Sequence, residues 1–94
     1  MPYFALIYHL VDDYLERRAS LRSQHLAIAT SAHARGELVL AGAFAEPADQ
    51  ALLIFRCADI RVAESFAEND PYVINGLVKH WEVRPWTVVI GNVD

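Results

Sequence analysis

Cysteine occurs once, as Cys57, so no disulfide can form within the chain. A single thiol without an internal partner fits a reducing, cytoplasmic setting. Long hydrophobic runs are missing too. Asp12 and Asp13 cut the first apolar stretch well short of the ~18–20 residues a membrane span needs, so no membrane association is expected. The start of the chain has no charged segment followed by an apolar stretch and a small-residue cleavage site, and a signal peptide is not expected. Positive charge is scarce: 8 Lys and Arg stand against 12 Asp and Glu, a net charge of −4. No basic patch offsets phosphates, which argues against a nucleic-acid partner. H-E-x-x-H, C-x-x-C and a Gly-rich phosphate loop are all absent, and no elbow motif surrounds a serine. His9, His33 and His80 show no ligand spacing with carboxylates or Cys57. No metal, nucleotide or other cofactor is therefore expected.

Hydrophobic residues, by contrast, make up 54% of the 94 residues. One short domain over residues 1–94 buries only ~60–65% of its unfolded surface, so this excess points to an oligomer. The chain is organised around residues 13–36, DYLERRASLRSQHLAIATSAHARG, which read as one long amphipathic helix. Asp13 and Glu16 have the spacing of a capping box at its start, and Gly36 suits a left-handed C′ position at its end. Leu15, Ala19, Leu21, Leu26, Ile28, Ala29 and Ala32 recur at helical spacing on the expected inner side. His25 falls within that side, and Arg18 and Arg22 share its stripe at i−7 and i−3.

Around this helix the pattern predicts four strands and a second helix. Residues 3–11 (YFALIYHLV) are apolar on both alternating faces, as in a central strand. Residues 37–45 form the second strand, where Gly42 marks either a bulge or a close approach of another backbone or a ligand. A turn leads to the third strand, 51–57, making an antiparallel hairpin. Residues 59–69 form the second helix, with Val62, Ala63, Phe66 and Ala67 inward, and Asp70-Pro71 ends it. A connector over 72–78, with room for one helical turn, precedes the last strand, 79–90. Pro85 lacks an N–H, so that strand lies at an edge or bulges there. The residues after Gly91 read as a loose tail.

The order βαββαβ, with right-handed crossovers, gives an α+β ferredoxin-like fold: a four-stranded antiparallel sheet with two helices on one face. Two helices cover only one face. The other is also apolar, so the same face of a second copy is the simplest cover, and a homodimer through sheet faces is expected.

Asp70, on the stiff turn before Pro71, can reach His25 across the two helices. A carboxylate that accepts from one ring nitrogen fixes the tautomer and raises basicity at the other, the arrangement of a general base. Arg22 can bind an anionic group. Tyr8, Phe44, Tyr72 and Trp81 are candidates to line a pocket. The plainer readings are a satisfied core histidine, a helix-ending aspartate, a solvated arginine and packing aromatics, and these residues alone leave both sets open.

The opening strand YFALIYHL, Leu21-Arg22-Ser23-Gln24-His25-Leu26, Gly36-Glu37-Leu38 with Ala41-Gly42, and Asp70-Pro71-Tyr72 together resemble the YciI-like (YCII-related) family of the dimeric α/β-barrel superfamily. The resemblance runs from Tyr3 to Gly91. It implies a ferredoxin-like dimer and an active-site His–Asp pair, which falls on His25 and Asp70. Arg22 and Tyr72 match positions near the pocket, and Gly42 joins them as a substrate-binding candidate. It further implies a cofactor-independent enzyme of isomerase, lyase or dehalogenase type acting on a small, partly aromatic molecule. The competing expectation is a non-catalytic ligand-binding or accessory module.

Overall fold

A computed structural model describes residues 1–91. Its sheet has the order β2-β3-β1-β4 with every neighbouring pair antiparallel. β1 (Tyr3–Leu10) and β3 (Gln50–Arg56) take the middle, as their two-sided apolar character requires. β2 (Leu38–Ala43) and β4 (Val78–Trp86) are the edges. Phe4, Leu6, Tyr8 and Leu10 alternate into the buried face and pack with Leu53, Phe55, Ala63 and Ala67. Tyr3, Ala5, Ile7 and His9 point to the opposite face and are half-buried.

Pro85 sits opposite Phe4 on edge strand β4, where its missing N–H costs no ladder bond. The irregularity of that strand lies elsewhere, at Lys79, between the pairs His9–His80 and Leu10–Val78. β2 likewise bulges at Val39 rather than Gly42, and no atom lies within 4 Å of a Cβ built on Gly42. Neither a bulge nor a neighbouring backbone therefore accounts for this glycine.

The expected single helix over 13–36 is broken. α1 (Tyr14–Arg17) is followed by a 3-10 turn (Arg18–Ser20), and α2 (Arg22–Ala34) starts afresh after Leu21 at φ −114°, ψ −7°. Asp13 makes no side-chain cap. Its carboxylate instead stands 3.8 Å from Arg17, whose guanidinium donates to the Asn75 carbonyl at 3.0 Å. α1 is thus held to the turn before β4 rather than running on into α2. The break changes which residues face in: Tyr14 is buried, while Leu15 and Ala19 are exposed. Within α2 the expected stripe persists, with Ala32 buried and Leu21, His25, Ile28 and Ala29 half-buried. Leu26 is 43% exposed. Gly36, at φ +81°, does occupy the left-handed position after the helix.

α3 (Ile60–Asn69) follows its expected course, with Ala63 and Ala67 fully buried. Asp59 precedes it in extended backbone and accepts from the Arg61 N–H at 2.9 Å. The connector forms one turn, α4 (Pro71–Ile74), with Pro71 in its first turn. The expected tail beyond Gly91 lies outside the described residues.

The Asp59 cap gives a stability prediction. Asp59→Ala should lower the unfolding free energy by about 1 kcal/mol. Urea denaturation followed by far-UV circular dichroism measures it, and an unchanged midpoint would show the cap to be idle.

Candidate active site

Asp70 is the hinge between two helices. Its extended backbone, φ −72° and ψ 125°, ends α3, and the same residue caps α4. Pro71 excludes a helical conformation at Asp70, so the chain must turn there. The turn carries the carboxylate inward, where it is fully buried. A buried carboxylate is costly unless donors replace its water. Three donors do so. Oδ1 accepts from the Tyr72 backbone N–H at 3.0 Å. Oδ2 accepts from the Tyr8 hydroxyl at 2.7 Å. His25 Nδ1 lies 2.9 Å from Oδ1 and 3.0 Å from Oδ2.

With a carboxylate as its partner, Nδ1 carries the proton and donates, so the other nitrogen, Nε2, holds the free lone pair. Nε2 has no partner among the described residues. The imidazole is held on its face as well: Tyr72 stacks on it with centroids 4.0 Å apart and planes 10° apart. Tyr14 meets Tyr72 edge-on at 5.7 Å, and the Arg18 guanidinium lies 5.4 Å from the centre of the Tyr14 ring. Orientation therefore comes from two directions, hydrogen bonding in the ring plane and packing across it.

His25 forms part of the wall of a cavity of about 170 Å³, and its side chain keeps 14% exposure. Tyr8, Tyr14 and Tyr72 supply aromatic wall, and Arg18 and Arg22 supply cationic wall. Ala41, Gly42 and Ala43 of β2 also line it. The Tyr72 hydroxyl is buried with no hydrogen-bond partner among the described residues. Its phenol is pushed above the ordinary tyrosine range by burial and by Tyr14, against the pull of Arg22 and Arg18, so it remains a neutral donor. Tyr8 is pushed further up by burial and by the negative Asp70, and donates to that carboxylate as a neutral phenol. A larger hollow of about 670 Å³ lies beside this one, around Leu10, Phe44 and Pro47. The two share Arg18 and Ala43, but the larger has no imidazole and no buried carboxylate in its wall.

The structure brings His25, Asp70, Arg22, Tyr72 and Gly42 together. Phe44 lines the neighbouring hollow and Trp81 packs against the core, so neither reaches the imidazole. Tyr8 and Tyr72 line the cavity as expected, but two features carry no signal at the level of spacing. Tyr14 enters only because the helix breaks after it, and the bond from Tyr8 to Asp70 spans 62 positions. His33 is satisfied by the Leu38 carbonyl at 2.7 Å. His9 and His80, which have no ligand spacing along the chain, lie directly opposite each other on β1 and β4 with Glu82 alongside.

Tyr8→Phe removes one of the three donors to the buried carboxylate. It should destabilise the protein by about 1.5–3 kcal/mol, the usual worth of a hydrogen bond to a charged group. Chemical denaturation checks this, and an unaltered unfolding curve would mean that Asp70 does not depend on the phenol.

Comparison with known proteins agrees with this architecture. The family model described as the YCII-related domain matches residues 1–87. Protein YciI of Escherichia coli O6:H1 is 31% identical over 86 residues, covering 82% of this chain and 88% of that protein. Protein YciI of Shigella flexneri matches to the same extent. Among solved structures, 5-chloro-2-hydroxyhydroquinone dehydrochlorinase from Burkholderia phenoliruptrix AC1100, in complex with 2,5-dihydroxybenzoquinone, superposes with a TM-score of 0.76. It is 20% identical, with 90% of this chain and 93% of that one covered, a likeness of fold: the ferredoxin-like α+β arrangement of an antiparallel sheet with helices on one face. Matched over nearly its whole length, the chain belongs to the YCII-related family.

Proposed function

We propose that the protein is a cofactor-independent enzyme in which His25 moves a proton on a small, anionic or phenolic ring. The observation that carries this reading is the free Nε2 of an imidazole whose Nδ1 is clamped on a buried carboxylate beside a cavity. Nε2 accepts a proton from a ring hydroxyl or carbon of the bound molecule. The released electron pair shifts into the ring, where a ring carbon takes up the proton from the imidazolium. In isomerisation the reaction ends there. In elimination the protonated carbon bears chlorine; Nε2 then accepts a second hydroxyl proton, and the pair of that O–H bond moves into the ring as the C–Cl bond breaks and chloride leaves. Asp70 does not touch the substrate. It holds the tautomer and stabilises the imidazolium that forms. Arg22, with Arg18, faces the negative charge of the substrate, and the unpartnered Tyr72 hydroxyl donates to one of its oxygens. The solved dehydrochlorinase of the same fold, crystallised with a dihydroxybenzoquinone, supports this choice of chemistry by analogy of fold.

The reading includes a homodimer in the cytoplasm. The sheet face away from the helices presents Ala5, Ile7, Leu52 and Ile54, flanked by Leu40 at 70% exposure and Trp86 at 47%. A second copy of the same face would cover this surface. Cys57 is a free, buried thiol, in keeping with a reducing compartment.

A second reading, a ligand-binding module in which the His–Asp pair is structural, draws on the same three-donor carboxylate. His25→Ala separates the two. As an enzyme, the variant should keep its far-UV spectrum and oligomeric mass yet lose at least ~10²-fold of turnover on a panel of chlorinated di- and trihydroxybenzenes. As a structural pair, it should instead cost about 1–3 kcal/mol of stability and leave ligand binding intact. Undiminished turnover by the variant, or no turnover of any panel member by the parent protein, overturns the enzyme.

Leu52→Asp should convert the dimer to monomer in analytical ultracentrifugation. Leu40→Asp, at a side chain already exposed in one copy, should weaken the dimer without unfolding it. Dimer mass retained by both would refute pairing through this face.

A further inference from the structure

We propose that His9, His80 and Glu82 form a divalent-metal site of the zinc type, on the sheet face opposite the helices. The argument starts from register. β1 and β4 pair antiparallel so that His9 faces His80, and Glu82 follows two residues later on the same face of β4. Side chains directly opposite each other across two strands approach closely. Here the imidazole centroids are 5.3 Å apart with planes inclined at 35°, and one ligand atom from each of the three residues lies within 4.8 Å of the others.

Ligand atoms sharing one tetrahedral ion at 2.0–2.2 Å stand roughly 3.3 Å apart. Closing from 4.8 Å takes only side-chain rotations, and His80 is exposed and free to make one. Backbone movement is not required, because the cross-strand register already sets the donors on one side.

None of the three side chains makes a hydrogen bond or ion pair among the described residues, and the two imidazoles face each other. Two imidazoles brought together beside a carboxylate, none of them satisfied by the described residues, form a donor set rather than an ion-pair network. Two nitrogens and one carboxylate oxygen suit zinc, and fit magnesium or calcium poorly, since those ions prefer all-oxygen ligands. Three protein ligands leave one tetrahedral position for water, or for a donor from a second copy laid on this face. The site is independent of the His25 chemistry: His25 lies on α2, on the other side of the sheet.

The test is zinc binding by the whole chain, stripped with EDTA and dialysed, with ZnSO4 as the probe in calorimetry. One zinc per chain should bind saturably. His80→Ala should weaken binding by more than the ~10–100-fold that loss of an outer-shell partner causes. Glu82→Gln should weaken it less, and His25→Ala should leave it unchanged. Imidazole NMR supplies a readout that does not depend on a variant folding: zinc should shift the ring signals of His9 and His80 and not those of His33. Absence of saturable binding overturns the site. So does affinity unaffected by His80→Ala, or affinity lost in His25→Ala, which would put the ion at the other imidazole.

Discussion

A single carboxylate, taken wholly out of water, ties three separated parts of the chain to one point. Asp70 receives a phenol from β1, an imidazole from α2 and a backbone N–H from α4. Each donor meets part of the cost of burying the group, and each is fixed in return. Pro71 makes this possible by ending α3 where the carboxylate must turn inward. The same contacts give His25 its tautomer, so the stabilisation of the fold and the chemistry of the imidazole arise from one set of bonds.

The cavity depends on a second constraint, the interrupted first helix. A continuous helix over 13–36 would carry Leu15 and Ala19 inward. The 3-10 turn instead buries Tyr14, whose ring supports Tyr72 and, through it, the face of His25. Arg18 and Arg22 keep their place beside His25 despite the break, so the cavity combines aromatic walls with positive charge.

The two faces of the sheet do different work. Large side chains of β1 and β3 meet the helices on one side and form the core with the Asp70 cluster. The other side carries a smaller apolar centre bordered by polar residues, among them the His9–His80 pair. Strand alternation alone separates these roles: Tyr8 and His9 are neighbours in the chain, yet one donates to Asp70 and the other lies on the opposite face.

Much of this was legible from residue order. The two-sided apolar character of β1 and β3 predicts their central places, Pro85 an edge strand or a bulge, of which the edge is found, Gly36 a helix end, and Asp70-Pro71 a sharp stop after α3. These are local properties, set by side-chain period and backbone sterics within a few residues. His25 stood out because an imidazole within an apolar stripe needs a partner, and the family pattern pointed to Asp70. What tertiary structure alone decided involves groups far apart in the chain. The break before α2 goes with a contact that no local pattern shows, the bond from Arg17 of α1 to the Asn75 carbonyl, 58 positions away. The bulges fell at Val39 and Lys79 because register is set by the partner strand. The Tyr8 bond to Asp70 and the meeting of His9 with His80 and Glu82 exist only once strands pair and helices dock, and spacing along the chain carries no information about either.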